Sequence, residues 1–112
     1  MTIGASIEEG AKVYEALKAR GENPSLINAR FATPIDVKLI KELAQNHSRL
    51  LTIEENITAG GFGMNVLRCA NENNLNMKVI NVALPDEYLP HGSIAKLKEI
   101  SGFTIEDILK RL

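Results

Sequence analysis

The stretch from Leu50 to Arg68 joins a strand-like run, two adjacent carboxylates and a glycine-rich turn, and it limits the chain to few folds. Leu50 to Ile53 is a short apolar run with β-branched residues, which is typical of a buried strand. Three glycines within positions 60–63 then permit a tight turn and lead into helical spacing. Strand, turn and helix in this order make half of a βαβ unit. The stretch therefore predicts a parallel sheet, whose sites form beyond the carboxyl ends of its strands.

Strand-like and helical patterns alternate along the whole chain. Runs rich in β-branched residues are separated by segments whose apolar residues recur at helical spacing. This alternation predicts an α/β fold, with a mostly parallel sheet covered by helices on both faces. The predicted strands are the tail of a strand at Met1 to Ala5, then Leu26 to Ala32, Leu50 to Ile53 and Met77 to Leu84.

Capping residues signal where the helices begin and end. Ser6 followed by Glu9 fits a capping box at the start of the first helix. Gly21 is placed to end that helix, because glycine adopts the left-handed conformation without strain. Thr33 is predicted to cap the second helix, ahead of Pro34 and Asp36. A third helix is predicted to run from the glycine turn to about Asn74. Two further helices are predicted to start at Ser93 and at Thr104, the latter with Asp107.

Size and composition restrict the class of protein. The 112 residues suit one compact domain, residues 1–112, and the abrupt start within a strand suggests a piece of a longer polypeptide. A net charge of -1 argues against nucleic acid or an anionic membrane as a partner. No apolar run reaches the roughly 20 residues of a membrane-spanning helix. Cys69 is the sole cysteine, which excludes an internal disulfide and favours a cytoplasmic location.

The acidic pair admits more than one interpretation. Glu54 and Glu55, followed by Asn56, could act as acid and base, bind a metal ion, or accept hydrogen bonds from a partner. Adjacent residues of an extended chain point to opposite faces, so the two carboxylates are not expected to share one task. The plainer interpretation is one solvated glutamate and one bonded to nearby backbone N–H groups.

The glycine turn also has two interpretations. Gly60, Gly61 and Gly63 could cradle a phosphate at a helix N-terminus, where N–H groups and the helix dipole favour anions. The spacing matches neither dinucleotide-binding nor P-loop motifs, and two negative charges precede it. Tight packing of the turn against the sheet or a partner chain is therefore favoured. Gly61 is expected to have a positive φ, so that Gly61→Val would destabilise the fold.

The remaining candidates are isolated polar side chains. His91 with Asp86 or Glu87 could form a small polar site in the loop 85–92, or His91 could simply bond to backbone. His47 lies in a turn and is expected to be solvated. Cys69 is expected to be a core thiol rather than a nucleophile, and no Cys/His cluster has metal-ligand spacing.

The order of these motifs resembles the C-terminal domain of transketolase-like enzymes. Glu54-Glu55-Asn56 followed by Gly60-Gly61-Phe62-Gly63 is similar to the strand–turn–helix signature of that family. Leu-Pro-Asp at 84–86 and His-Gly at 91–92 narrow the resemblance to the 1-deoxy-D-xylulose-5-phosphate synthases. The segment 28–36 resembles their Asp-Ala-Arg-Phe…Lys-Pro-Leu-Asp, with Asn28 in place of the acid.

The resemblance implies a three-layer α/β/α sandwich with a mixed sheet, whose first strand is truncated here. It also implies an enzyme that condenses pyruvate with glyceraldehyde 3-phosphate, for isoprenoid and thiamine synthesis. Thiamine diphosphate and Mg²⁺ would be held by preceding domains of the same polypeptide, against which this one packs within a homodimer. By this resemblance the chain has no catalytic, cofactor-binding or metal-binding residue and is inactive alone. The candidates for the domain interface are Glu54, Glu55, Asn56, Gly60, Gly61, Gly63, Asp86 and His91.

Two other interpretations stay open at this point. The chain could be the equivalent domain of a transketolase or of a 2-oxoacid dehydrogenase β-subunit, although the Leu-Pro-Asp…His-Gly loop argues against both. It could also be a free-standing regulatory module that binds an anion at the glycine turn.

Overall fold

A computed structural model describes residues 1–57, 60–84 and 102–112 of the chain. Strands and helices alternate within these ranges, as the sequence predicts. The elements are β1 (Thr2–Ile3), α1 (Ile7–Ala19), β2 (Asn28–Ala29), α2 (Val37–Asn46), β3 (Arg49–Ile57), α3 (Phe62–Glu72), β4 (Lys78–Leu84) and α4 (Ile105–Lys110).

The four described strands form one parallel sheet in the order β2-β1-β3-β4. In β1, Thr2 pairs with Asn28 on one side and with Ile53 on the other. β3 and β4 pair over most of their length, from Arg49 opposite Lys78. The predicted α/β fold is thereby confirmed. The antiparallel strand that the resemblance implies is not among the described strands.

Helices cover both faces of the sheet and bury two apolar clusters. Side chains alternate along β3, so Leu50 joins the cluster under α2 and α3 while Ile53 joins the one under α1 and α4. The first cluster consists of Ile40, Leu50, Phe62, Val66, Cys69 and Met77, and the second of Val13, Ile53, Val82, Phe103 and Ile108. This arrangement is the predicted three-layer α/β/α sandwich.

The structure confirms three predicted helix boundaries, at Gly21, Asn74 and Thr104. Gly21 follows α1 with a φ of 82°, and Asn74 follows α3 with a φ of 52°. Thr104 caps α4, its hydroxyl accepting a hydrogen bond from the Asp107 N–H at 3.2 Å. The predicted helix at Ser93 lies outside the described residues.

One predicted cap, Ser6, is at the expected position without its side-chain bond, and the other, Thr33, is wrong. Ser6 is the N-cap of α1 but makes no side-chain capping bond, because a 3-10 turn over Gly4–Ser6 leads into the helix and holds Ser6 in helical geometry. The second helix starts at Val37 with Asp36 as its N-cap, whose carboxylate accepts from the Leu39 N–H at 3.0 Å. Thr33 therefore caps nothing.

Some strand boundaries also differ from the predictions. β2 contains only Asn28 and Ala29, not the predicted seven residues, because it is an edge strand that pairs with the two residues of β1. β3 extends past the predicted Ile53 to Ile57 and includes the acidic pair. None of the helices within the described ranges has the length and apolarity needed to cross a bilayer.

Candidate functional site

The acidic pair lies at an irregularity in the pairing of β3 with β4. Ile53 is opposite Val82 and Ile57 is opposite Leu84, so β3 uses two more residues than β4 over this stretch. Irregularities of this kind bend a strand and redirect its side chains. The carboxyl end of β3 is thereby brought to the start of α3.

Glu54 is bonded to the first turn of α3. Its side chain is 1% exposed, its Oε2 accepts from the Phe62 N–H at 2.9 Å, and its Oε1 accepts from the Gly63 N–H at 2.7 Å. The first N–H groups of a helix lack partners within the helix and carry a partial positive charge. A carboxylate within the chain thus takes the place that a solute anion would occupy.

Glu55 is exposed, in contrast to Glu54. The two carboxylates therefore have different surroundings, as expected for adjacent residues of an extended strand. Glu54 matches the plainer of the two interpretations, a glutamate bonded to nearby backbone N–H groups. Because both of its oxygens accept hydrogen bonds from the chain itself, we do not assign Glu54 a role as acid, base or metal ligand.

The three glycines of the turn serve different purposes. The positive φ, 70°, belongs to Gly60, whereas Gly61 has φ -74° and ψ 177°, an extended conformation open to any residue. The expectation of a positive φ at Gly61 is therefore wrong. Gly63 is needed for close approach, since an added Cβ would lie 2.5 Å from Thr52 Oγ1 and 2.7 Å from Asn81 Oδ1.

A polar pair on the sheet forms the wall against which Gly63 packs. The hydroxyl of Thr52, which is fully buried, donates to Asn81 Oδ1 at 2.9 Å. The amide of Asn81 in turn lies 3.6 Å from the sulfur of Met64. The sequence patterns did not predict this pair. The available signal was a polar residue inside each of two apolar runs, residues 50–53 and 79–84.

The other predicted polar residues do not join this site. His47 Nε2 lies 2.9 Å from Ser25 Oγ, so it has a hydrogen-bond partner rather than water alone. Cys69 is a buried core thiol, as predicted, and burial, together with the nearby Glu72 charge, raises its pKa. Asp86 and His91 lie outside the described residues, as does the side chain of Asn56.

The described residues do not fit a metal ion or a diphosphate. No group of three or more His, Cys, Asp and Glu side chains in residues 1–57, 60–84 and 102–112 could hold a metal ion. The N-terminus of α3, which could bind a phosphate, already carries the Glu54 carboxylate. No step that depends on thiamine diphosphate or Mg²⁺ is therefore assigned to residues of this chain.

Large apolar side chains are exposed around this edge of the sheet. Phe31, which follows β2, is 73% exposed, Val37 in the first turn of α2 is 40% exposed, and Met64 in the first turn of α3 is 38% exposed. A helix that follows a strand of a parallel sheet begins at the carboxyl edge. All three positions thus lie at the edge where Glu54 lies, and exposed apolar side chains are surface that a partner could cover.

The fold and this edge define an α/β/α domain in which a buried carboxylate joins the end of β3 to the first turn of α3. The profile of the family described as "Transketolase, C-terminal domain" matches residues 1–108, and the chain belongs to that family.

Similar proteins of known name agree with this assignment. The chain is 37% identical over 112 residues to the 1-deoxy-D-xylulose-5-phosphate synthase of Clostridium tetani, 36% over 113 to that of Bacillus licheniformis and 38% over 112 to that of Shouchella clausii. Each match covers 100% of this chain and 18% of the relative, so the chain spans about a fifth of their length.

A solved structure confirms the fold. It is a split-gene transketolase, described as an inactive beta4 tetramer, and it superposes with a TM-score of 0.88 over 98% of this chain and 36% of its own. Its sequence identity to this chain is 24%, so the likeness concerns the fold.

Proposed function

We propose that the chain is the C-terminal domain, residues 1–112, of a 1-deoxy-D-xylulose-5-phosphate synthase, which it supports without supplying a catalytic group. The observation that carries this proposal is the identity of 36–38% to three such synthases over the whole chain. The Glu54 contacts support it, because they bind to the chain's own backbone a carboxylate that could otherwise act as an acid, a base or a metal ligand.

The parent enzyme would join the acyl carbon of pyruvate to the aldehyde carbon of glyceraldehyde 3-phosphate. The bond from that acyl carbon to the carboxylate breaks, carbon dioxide leaves, and one proton is taken up to give 1-deoxy-D-xylulose 5-phosphate. Thiamine diphosphate and Mg²⁺ would be bound by the preceding domains. The enzyme would act in the cytoplasm, and its product would be a precursor of isoprenoids and thiamine.

The supporting role would be exercised at the carboxyl edge of the sheet. Phe31, Val37 and Met64 present apolar surface there, and Gly60, Gly61 and Glu55 lie in the adjoining strand end and turn. In this proposal a preceding domain, or the partner subunit of a homodimer, packs on that edge. Glu54 and Gly63 act from inside, since their contacts fix the first turn of α3 against the sheet.

The alternatives have less support. A free-standing module that binds an anion at the glycine turn conflicts with the Glu54 carboxylate, which already accepts from the N–H groups of Phe62 and Gly63. The transketolase whose structure is similar is 24% identical, below the identity to the three synthases.

A hybrid enzyme tests the proposal. The matching C-terminal region of the Clostridium tetani synthase is replaced by this chain, and product is measured with pyruvate, glyceraldehyde 3-phosphate, thiamine diphosphate and Mg²⁺. The hybrid is expected to turn over, while the synthase lacking that region and this chain alone are expected to give no product. Turnover by the chain alone, or a folded hybrid no more active than the truncated synthase, would refute the proposal.

A further inference from the structure

The strand β2 forms an exposed side of the sheet. It comes first in the strand order β2-β1-β3-β4, and in the described part of the chain no strand lies on its outer side. Asn28 is exposed there, as are Leu26 and Arg30 on either side of it. The outer edge of an edge strand presents backbone N–H and C=O groups with which another strand can pair.

The backbone of Asn28 points to this outer edge. Thr2 is opposite Asn28 in the register of β1 with β2, and the Thr2 N–H donates to the Ile27 carbonyl at 2.8 Å. In a parallel pair, a bonded residue contacts the two residues that flank its opposite number, here Ile27 and Ala29. Because the bonding direction alternates along a strand, the N–H and C=O of Asn28 face away from β1.

The outer edge of β2 lacks the features that usually prevent two strands from pairing. Natural edge strands are protected by charged side chains, by proline or by a bulge. Residues 25–29 read Ser-Leu-Ile-Asn-Ala and contain neither a charge nor a proline. The sequence pattern predicts a strand over residues 26–32, but only Asn28 and Ala29 pair with β1. The segment therefore has more strand character than its pairing with β1 uses.

Leu26 adds apolar surface beside the open backbone. It is 38% exposed, although aliphatic residues of its size are mostly buried. The alternation of β2, continued two residues back, places Leu26 on the same face as Asn28. A second strand paired with β2 would cover part of Leu26, and the burial of apolar area favours association.

We propose that the outer edge of β2 pairs antiparallel with the same edge of a second copy of this chain, about a two-fold axis beside Asn28. The Asn28 N–H of each copy would donate to the Asn28 carbonyl of the other, and the two sheets would join into one. An edge that pairs with itself about a two-fold axis gives a closed dimer.

The charges of the chain suit a second copy as the partner. The net charge is -1, so two copies repel each other little. Asn28, which would face its own counterpart across the axis, is uncharged, whereas like charges directly opposite each other are unfavourable. The pairing would also place Leu26 opposite Arg30 of the other copy, whose aliphatic stem can cover an apolar side chain.

Sedimentation of the 112-residue chain tests the pairing. An interface this small is expected to be weak, so the chain should be a monomer at about 10 μM and form dimers at about 1 mM. Asn28→Pro removes an N–H that β1 does not use, and Asn28→Asp places two carboxylates face to face. Each change is expected to weaken association by about tenfold or more. Asn76→Asp, the same charge change at an exposed position before β4, is the control and should dimerise like the unchanged chain.

Each outcome decides the proposal. Thermal unfolding shows whether the variants are folded, and Asn28→Asp carries the test if Asn28→Pro is not, because the side chain of Asn28 is exposed. A chain that stays monomeric at about 1 mM would overturn the proposal. A dimer that persists in folded Asn28→Asp would place the contact on another surface and would overturn it as well.

A segment of the parent enzyme is the other candidate for this edge. Slow hydrogen exchange of the Asn28 amide in the hybrid synthase, without any dimer of the chain alone, would place such a segment there and overturn a second copy as the partner. The dimer needs only residues of this chain. An inactive hybrid synthase would therefore refute the proposed function and leave the pairing of β2 intact.

Discussion

Glu54 replaces an external anion at the N-terminus of α3. Its two oxygens lie 2.9 and 2.7 Å from the N–H donors of Phe62 and Gly63, in a position that is 1% exposed. A buried carboxylate is costly unless every oxygen is bonded, and a helix N-terminus is one of the few places in a fold that supplies two donors to it. The strand end, the turn and the helix are thus joined by one side chain.

Replacing Glu54 by glutamine should destabilise the chain. Glu54→Gln keeps the shape but turns one acceptor oxygen into an NH₂ donor, which would face a backbone N–H. The free energy of unfolding, measured with urea, is expected to fall by about 2 kcal/mol. Glu15→Gln, the same change at an exposed position of α1, should stay within about 0.5 kcal/mol. Equal effects of the two changes would contradict the assignment of Glu54.

A methyl group at Gly63 should be costly because of its neighbours rather than its backbone. In Gly63→Ala the new Cβ would meet Thr52 Oγ1 and Asn81 Oδ1 at distances that real Cβ atoms do not show. We expect a loss of about 1–3 kcal/mol in thermal or urea unfolding. Gly60→Ala has no neighbour within 4 Å but a φ of 70°, so it should cost about 1 kcal/mol through the backbone.

A double-mutant cycle separates these two causes. Thr52→Ala removes the closer atom, so it should reduce the cost of Gly63→Ala and leave the cost of Gly60→Ala unchanged. Additive effects of Thr52→Ala and Gly63→Ala would show that the clash is not the reason for glycine at this position.

At the scale of elements, the start of α2 offers a direct choice between two caps. Asp36 accepts from the Leu39 N–H at 3.0 Å, whereas Thr33 lies three residues before the cap. Asp36→Ala is therefore expected to lower the free energy of unfolding by about 1 kcal/mol, and Thr33→Ala by less than about 0.5 kcal/mol. Chemical unfolding of both variants checks the assignment, which fails if Thr33→Ala is the more damaging.

The buried amino group of Met1 makes the stability of the 112-residue chain depend on pH. The unfolded chain keeps the proton of the Met1 amino group up to pH 8.0, but the folded chain keeps it only up to about pH 6. Between these values the unfolded state binds more protons, so the free energy of unfolding should rise with pH, by up to about 3 kcal/mol. Below pH 6 the full penalty applies.

Acetylation of the Met1 nitrogen isolates this contribution. The difference between the free and the acetylated chain should be largest below pH 6 and should vanish above pH 8. Urea unfolding of both forms at several pH values measures it. A constant difference across this range would mean that the amine is not buried in the folded chain.

The sequence predicted the order of elements and the two apolar faces, because those follow from local periodicity. Gly21, Asn74 and Thr104 also ended or began helices as expected, since each position depends on its own backbone or its nearest turn. The predicted cap of α2 was wrong because Thr33 and Asp36, three residues apart, are both good capping residues. Only the path of the chain after β2 selects Asp36.

The hydrogen-bond partners of Glu54 could not be predicted from its neighbours in the sequence. Its partners lie eight and nine residues further along the chain, and the bond forms only because β3 is irregular and α3 packs closely on the sheet. The wall of Thr52 and Asn81 was missed for the same reason, since these residues meet across two strands. The exposure of Phe31 had no sequence signal, because an apolar residue near a strand end is normally buried.

At the scale of the whole molecule, the two edges of the sheet have opposite characters. At the carboxyl edge, Glu54 satisfies the N-terminus of α3, and the exposed apolar side chains remain as the feature that a partner would cover. At the amino edge, a cleft of about 250 Å³ opens between residues 25–27 and residues 49–51. In the proposed function, the carboxyl edge is the surface for docking.

Phe31 allows the docking role to be separated from stability. Because it is 73% exposed, Phe31→Ser should change the unfolding free energy of the 112-residue chain by no more than about 0.5 kcal/mol. In the hybrid synthase the same change should weaken packing at the carboxyl edge, and so lower the temperature at which activity is lost. Arg68→Ser, at a side chain 71% exposed in α3, is the control and should change neither quantity appreciably. A hybrid carrying Phe31→Ser that keeps the heat resistance of the unchanged hybrid would remove Phe31 from the docking surface, whereas a large loss of stability in the isolated chain would mean that Phe31 belongs to its core.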